Sequence, residues 1–143
     1  MSKSIERLTL PPVSPGTQRQ LTVHRYGKCG ARPKAYLQAS IHADETPGML
    51  VQHHLIGLLD KADRDGAIRG EIVLVPLANP IGLGQWINHQ MAGRYEMGGA
   101  GNFNRNWPDL FAGLAERVAG RLSSDVNANV ATVRAAMSEA IDT

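Results

Sequence analysis

The stretch AYLQASIHADETPG, residues 35–48, joins two kinds of sequence pattern. Residues 35–41 form a short apolar run that suits a partly buried strand. Thr46 is a typical helix N-cap, and Pro47 suits the first helical turn, where its missing N–H costs nothing. A strand that passes through a short turn into a helix predicts a unit of α/β architecture.

Strand patterns extend outward from this stretch. Residues 1–17 are rich in proline and predict an extended lead-in. In residues 21–26, apolar and polar side chains nearly alternate, which predicts a strand. Residues 71–77 predict a third strand. No helical or strand period runs through residues 78–107, and irregular stretches of that length are usually functional or disordered.

Three apolar stripes at helical spacing predict helices. The first follows Pro47 and is made of Leu50, Leu55, Leu58 and Leu59. The others lie in residues 110–122 and 126–141. Strands and helices in this order predict an α/β fold, a mixed β-sheet with flanking helices, in a single domain over residues 1–143.

Composition excludes several classes of protein. The 143 residues are 43% hydrophobic and 20% charged, which is typical of a globular chain. The net charge of +2 is scattered, so no basic stripe indicates nucleic acid. No apolar run is long enough for a membrane helix or a signal peptide. The single cysteine, Cys29, forms no internal disulfide, and we expect a cytoplasmic protein.

His42 and Glu45 are candidate metal ligands. His42 falls just past the carboxyl end of a predicted strand, and Glu45 falls just before a helix start. Ligands of open α/β sheets bind outside the carboxyl ends of the strands. Imidazole nitrogen and carboxylate oxygen are both zinc ligands, although a His-x-x-Glu spacing alone also fits a surface histidine beside a helix-capping acid.

Two further features lie in the long irregular segment. Asn104 and Arg105 combine an amide with a planar guanidinium fork, which suits bidentate capture of a carboxylate. Arg94, in a glycine-rich stretch, has the charge to stabilise a developing oxyanion. Taken separately, both features also fit solvated arginines at the surface.

In this order, the features resemble the succinylglutamate desuccinylase/aspartoacylase branch of the zinc carboxypeptidase superfamily. The matching pieces are the His42-x-x-Glu45 pair, the segment 78–80 (ANP), the pair 94–95 (RY) and residues 102–108 (NFNRNWP). The resemblance spans residues 35–110 and is carried by the order and spacing of the pieces.

The resemblance implies a zinc-carboxypeptidase-like fold and a zinc-dependent hydrolase of N-acyl amino acids. His42 and Glu45 would be the first two zinc ligands. Arg94 would polarise the scissile carbonyl, while Asn104 and Arg105 would hold the carboxylate of an acyl-amino acid or of a peptide end. Water activated by the metal would attack the amide carbon, with a glutamate as general base.

Two parts of that site have no counterpart here. The family's third ligand is a histidine well beyond the Asn-Arg pair, but no histidine follows His89. The general base is also missing, because Glu116 and Glu139 lie on predicted helices with no matching context. As a further, small departure from the family, Ala43 replaces the glycine that usually follows the first histidine. We therefore expect a truncated, N-terminal portion of a catalytic domain, inactive alone, since zinc sites use at least three protein ligands.

Two alternatives stay open. The first is a carboxypeptidase-like metallopeptidase, because the Asn-Arg pair serves peptide ends as well as acyl-amino acids. The second is a non-catalytic remnant that binds a small carboxylate. The apolar stripe of the last helix also predicts a homo-oligomer or contact with a missing C-terminal segment.

Overall fold

The computed structural model describes residues 2–99 and 101–141, which fall into two compact units, Met1–Arg105 and Asn106–Thr143. That both units belong to one catalytic domain stays a prediction. No helix in the described ranges combines the length and the apolar character that a membrane span requires.

The larger unit is built on a four-stranded mixed sheet. Its strands are β1 (Ser4–Leu10), β2 (Arg19–Tyr26), β3 (Lys34–Gln38) and β4 (Glu71–Val75), in the order β1-β2-β4-β3. β2 pairs antiparallel with β1 and β4, whereas β3 and β4 are parallel and are joined through α1 (Pro47–Arg64). A mixed sheet with helices confirms the coarse fold class predicted from the sequence.

β1 is the main departure from the predicted elements. Within the expected lead-in 1–17, Ser4–Leu10 pairs with β2 over its whole length. The prolines of residues 11–15 lie in the connection to β2 and not in the strand. Ile5 and Leu8 stay exposed on opposite faces of this outer strand, so its sequence carries no one-sided apolar pattern.

The core of this unit lies on both faces of β2 and β4. On one face, Val23, Val73 and Val75 are buried together. On the other face, Tyr26 and Leu74 have no exposed surface. The Tyr26 hydroxyl donates a 2.6 Å hydrogen bond to Asp60 of α1, which locates the helix over this second face.

Helix α1 begins at Pro47, as predicted, although the side chain of Thr46 makes no capping hydrogen bond. Its leucines do not form the single stripe that the sequence predicts. Leu55 and Leu59 are half-buried, whereas Leu50 and Leu58 are exposed, at 60% and 67%. At 3.6 residues per turn the two pairs point about 120° apart, so only one of them can face the sheet.

The segment predicted to lack a period contains five short elements. They are α2 (Pro80–Leu83), β5 (Trp86–Ile87), β6 (Gln90–Met91), β7 (Tyr95–Glu96) and β8 (Gly101–Asn102). The strands pair as two antiparallel hairpins, β5 with β6 and β7 with β8. Elements of two to four residues are too short to show periodicity.

The smaller unit contains α3 (Leu114–Val118) and α4 (Val126–Glu139). α4 confirms the predicted last helix, and Asp125 caps it by accepting from two backbone N–H groups. The predicted helix over 110–122 shortens to α3, because Gly113 and Gly120 adopt left-handed φ values of 65° and 69° at its ends. Self-association through the apolar face of α4 stays a prediction.

Candidate metal and substrate site

The carboxyl ends of the parallel pair β3 and β4 place the histidine candidate. Beyond the strands, the Ala39 N–H donates to the Val75 carbonyl at 3.0 Å, and the Ala78 N–H donates to the Ala39 carbonyl at 2.9 Å. The side-chain amide of Asn79 then donates to the Ile41 carbonyl at 2.8 Å. These bonds hold the segment before His42 at the edge of the sheet where α/β proteins bind ligands.

A tight turn brings His42 and Glu45 together. Ser40 adopts a left-handed φ of 58°, and its hydroxyl donates to the Glu45 carbonyl at 3.2 Å. The Glu45 N–H donates back to the His42 carbonyl at 3.1 Å. As a result, His42 Nδ1 and Glu45 Oε1 lie 3.2 Å apart, with the imidazole buried and the carboxylate largely exposed.

Asn102 sets the tautomer of His42. Its Oδ1 accepts the Asn104 backbone N–H at 2.8 Å, which identifies this atom as the amide oxygen. The same oxygen lies 2.7 Å from His42 Nε2, so the Nε2–H group donates a hydrogen bond to it. In a neutral ring with its proton on Nε2, the lone pair is on Nδ1, the nitrogen nearer Glu45.

Arg94 supports the same assignment from the other side of the ring. Arginine can only donate hydrogen bonds, and Arg94 Nη1 lies 3.0 Å from His42 Nδ1. Its Nη2 contacts Glu45 Oε1, and this ion pair lowers the pKa of the Glu45 carboxyl. His42 Nδ1 and Glu45 Oε1 are thus both acceptors of the Arg94 guanidinium. Their close approach is explained by this shared donor and not by a hydrogen bond between them.

The donor set fits part of a zinc site. A neutral imidazole nitrogen and a carboxylate oxygen are common zinc ligands, and an outer oxygen acceptor on the second ring nitrogen is their usual support. Among the described residues, no group of three His, Cys, Asp or Glu side chains converges on one point. The structure therefore assembles two predicted ligands and one outer-shell support.

Backbone contacts fix the position of Arg94. The Ala43 N–H donates to the Gly93 carbonyl at 2.9 Å, and the Phe103 N–H donates to the Arg94 carbonyl at 3.1 Å. Asp44 adds a second carboxylate, with its Oδ2 3.7 Å from Arg94 Nε. Arg94 is thus held between the turn that carries His42 and the segment that carries Asn102.

Asn104 and Arg105 lie two and three residues after Asn102, the strand residue that supports His42. The Arg105 N–H donates to the Asn102 carbonyl at 3.2 Å, which closes a turn. The guanidinium of Arg105 is exposed and folds back onto the Asn104 carbonyl at 2.6 Å. The structure places this pair beside the His42 support, and its role in carboxylate binding stays a prediction.

The other residues weighed from the sequence lie apart from this cluster. His89 sits in the turn of the β5–β6 hairpin, with a left-handed φ of 66° and an exposed side chain. Cys29 is a free, exposed thiol in a loop. Two residues that shape the site were not selected from the sequence, Asn102 as the support of His42 and Gln85 as a hydrogen-bond partner of the Arg94 segment.

Comparison with known proteins identifies the family. A sequence-family model, that of the succinylglutamate desuccinylase/aspartoacylase catalytic domain, matches residues 31–137. No curated protein matches the sequence significantly.

Two solved structures assigned to the succinylglutamate desuccinylase/aspartoacylase family share the fold at 24% sequence identity. The protein from Shewanella frigidimarina NCIMB 400 has a TM-score of 0.69 over 86% of this chain. The protein from Shewanella amazonensis SB2B has a TM-score of 0.64 over 94% of it. The chain spans 33% of the first protein and 43% of the second. On the family match over most of its length, the chain belongs to the succinylglutamate desuccinylase/aspartoacylase catalytic-domain family.

Proposed function

We propose that this chain supplies part of the active site of a zinc-dependent hydrolase that cleaves the amide bond of an N-acyl amino acid. One observation carries the proposal. His42 Nδ1 lies 3.2 Å from the Glu45 carboxylate, while Asn102 engages the other ring nitrogen, Nε2, at 2.7 Å. Membership of a family of desuccinylase and aspartoacylase hydrolases supports the reaction class.

In this proposal, His42 and Glu45 hold the metal through Nδ1 and a carboxylate oxygen. Zinc bound there would supply Lewis acidity and water activation. Asp44 and backbone bonds hold Arg94 beside both ligands. In this structure its guanidinium contacts the same His42 and Glu45 atoms, so a bound metal would replace those contacts. The Arg94 guanidinium can donate to the oxygen of the scissile carbonyl as negative charge develops, the kind of stabilisation that preorganised donors provide in hydrolases.

Asn104 and Arg105 are proposed to bind the substrate carboxylate. Arg105 donates one Nη hydrogen bond to the Asn104 carbonyl, and its guanidinium has further N–H groups that can bind a ligand. The exposed position of Arg105 makes that fork accessible. Bidentate pairing of arginine with a carboxylate supplies both energy and orientation.

Two protein ligands should hold zinc weakly, since catalytic sites use three. We therefore expect the 143-residue chain to show little or no hydrolysis of N-acyl amino acids. Parallel assays on N-acyl amino acids and on peptides with a free C-terminus would distinguish a deacylase from a carboxypeptidase-like enzyme. Robust, chelator-sensitive turnover by the pure chain would contradict the expectation.

The decisive experiment is a zinc titration of the purified chain against a competing chelator. We expect weak one-to-one binding that is lost in His42→Ala. His53→Ala is the matched control, because it removes an exposed imidazole from α1, away from the cluster. Binding that survives His42→Ala would overturn the proposal. Tight binding would indicate a third ligand within these residues, which His89→Ala would then test.

A further inference from the structure

Gln85 makes three side-chain hydrogen bonds to the segment that carries Arg94. Its Nε2 donates to the Ala92 carbonyl and to the Tyr95 carbonyl, each at 2.7 Å. Its Oε1 accepts the Met97 N–H at 3.0 Å. All three distances lie in the range of good hydrogen bonds.

The three partners of Gln85 flank Arg94 in the sequence. Ala92 lies two residues before it, Tyr95 directly follows it, and Met97 lies three residues after it. A single amide has two donors and one oxygen acceptor, so Gln85 uses every kind of hydrogen bond that it can make on this one segment. The backbone adds a fourth bond, from the Ala92 N–H to the Gln85 carbonyl at 2.8 Å.

Gln85 itself is connected to the segment before His42 through α2. It directly follows α2 and its C-cap, and its N–H donates to the Gly82 carbonyl at 3.1 Å. α2 is in turn capped by Asn79, whose Oδ1 accepts the Gly82 N–H at 2.7 Å and whose amide holds the Ile41 carbonyl. A continuous set of hydrogen bonds therefore connects the segment before His42 with the segment that carries Arg94.

We propose that Gln85 is a positioning residue, which sets where the Arg94 guanidinium lies relative to His42 Nδ1 and the Glu45 carboxylate. Gln85 touches neither ligand among its described contacts and acts through the backbone at three points. Its importance for hydrolysis rests on the function proposed above for Arg94. Its effect on the place of Arg94 is independent of that function and can be measured without zinc or substrate.

The test uses the ¹⁵N resonance of His42 Nδ1 in the full chain, at alkaline pH where imidazoles are neutral. Nδ1 accepts a hydrogen bond from Arg94, so losing that donor changes its chemical shift. Arg94→Ala defines the full change. Gln85→Met keeps the length of the side chain but removes the amide, and Gln90→Met makes the same substitution at an exposed position of β6.

We expect Gln85→Met to reproduce most of the shift seen in Arg94→Ala, and Gln90→Met to leave the resonance unchanged. In the double variant Gln85→Met/Arg94→Ala, we expect the same shift as in Arg94→Ala alone, because both substitutions remove the same contact, that of Arg94 with His42 Nδ1. A residue that merely stabilised the loop would not move the His42 resonance in this Arg94-dependent way.

Two results would overturn the proposal. One is an unchanged His42 resonance in a folded Gln85→Met variant. The other is a shift that adds to that of Arg94→Ala, because Gln85 would then act on His42 by another route. Should Gln85→Met fail to fold, Gln85→Asn replaces it, since this variant keeps the amide but is one methylene too short to reach all three partners.

Discussion

Gly93→Ala tests how closely the Arg94 segment is packed against the turn that carries His42. A β-carbon on Gly93 would lie 2.5 Å from the Asp44 nitrogen, 2.9 Å from the Ala43 carbonyl carbon and 3.0 Å from the Ala43 β-carbon. Non-bonded carbon atoms prefer separations of about 3.5–4.0 Å. The two nearest atoms belong to the backbone, so the clash cannot be relieved by turning a flexible side chain.

The expected cost follows from two contributions. Forcing a methyl group into a packed site costs about 1–3 kcal/mol. Separating the two segments also breaks the bond from the Ala43 N–H to the Gly93 carbonyl, now 2.9 Å long, which contributes about 0.5–1.5 kcal/mol. We expect Gly93→Ala to lower the free energy of unfolding by about 2–4 kcal/mol.

Urea unfolding followed by circular dichroism measures this change, and Gly57→Ala is the matched control. Gly57 lies within α1, and a β-carbon there would meet no atom within 4 Å. The control should therefore raise stability by about 0.5–1 kcal/mol, since alanine favours a helix over glycine. Gly93→Ala within about 0.5 kcal/mol of the parent would refute the packing argument.

Three more predictions concern the site and the core. Asn102→Ala removes the acceptor of the His42 Nε2 proton and should weaken zinc binding about 10–100-fold, whereas Asn127→Ala on α4 should not; equal affinities in the chelator titration would contradict this. The Lys34 ammonium lowers the pKa of the Glu71 carboxyl from its ordinary value of 4.5, so the stabilisation is complete above that value and is lost as the pH falls through the folded-state pKa. Glu71→Gln should therefore reduce the difference in urea stability between neutral and strongly acid pH, and an undiminished difference would assign the acid sensitivity to other groups. Leu74→Ala should lower the free energy of unfolding by about 2–5 kcal/mol, because Leu74 is fully buried. A smaller decrease in the free energy measured by urea unfolding would mean that the sheet collapses around the cavity.

The fold was predictable where one physical cause dominates the local sequence. Pro47 marks the start of α1, and the buried β4 shows as an apolar run. β1 was not recognised, because a strand exposed on both faces is held by pairing with β2, and that pairing leaves no apolar period. Leu50 and Leu58 were wrongly assigned to the buried stripe of α1. Both are exposed, because apolar residues need not face the core.

The site was predictable only as far as its residues lie close in sequence. His42 and Glu45 are three residues apart, so a turn between strand and helix is enough to bring them together. Arg94 and Asn102 lie 52 and 60 residues beyond His42, and their contacts exist only once the sheet and its loops have formed. Arg94 was noticed in its glycine-rich stretch, and its role was assigned from the family resemblance. Asn102 lay unrecognised within residues 102–108, another of the matching pieces.

The order of the sheet also determines how fast its amide protons exchange with solvent. β4 lies between β2 and β3, so both of its edges are hydrogen-bonded, and most of its side chains are buried. β1 and β3 each have one strand neighbour within the described sheet. In deuterium labelling, the β4 amides should therefore exchange only when the whole unit opens, whereas the outer edges of β1 and β3 exchange through local fluctuations.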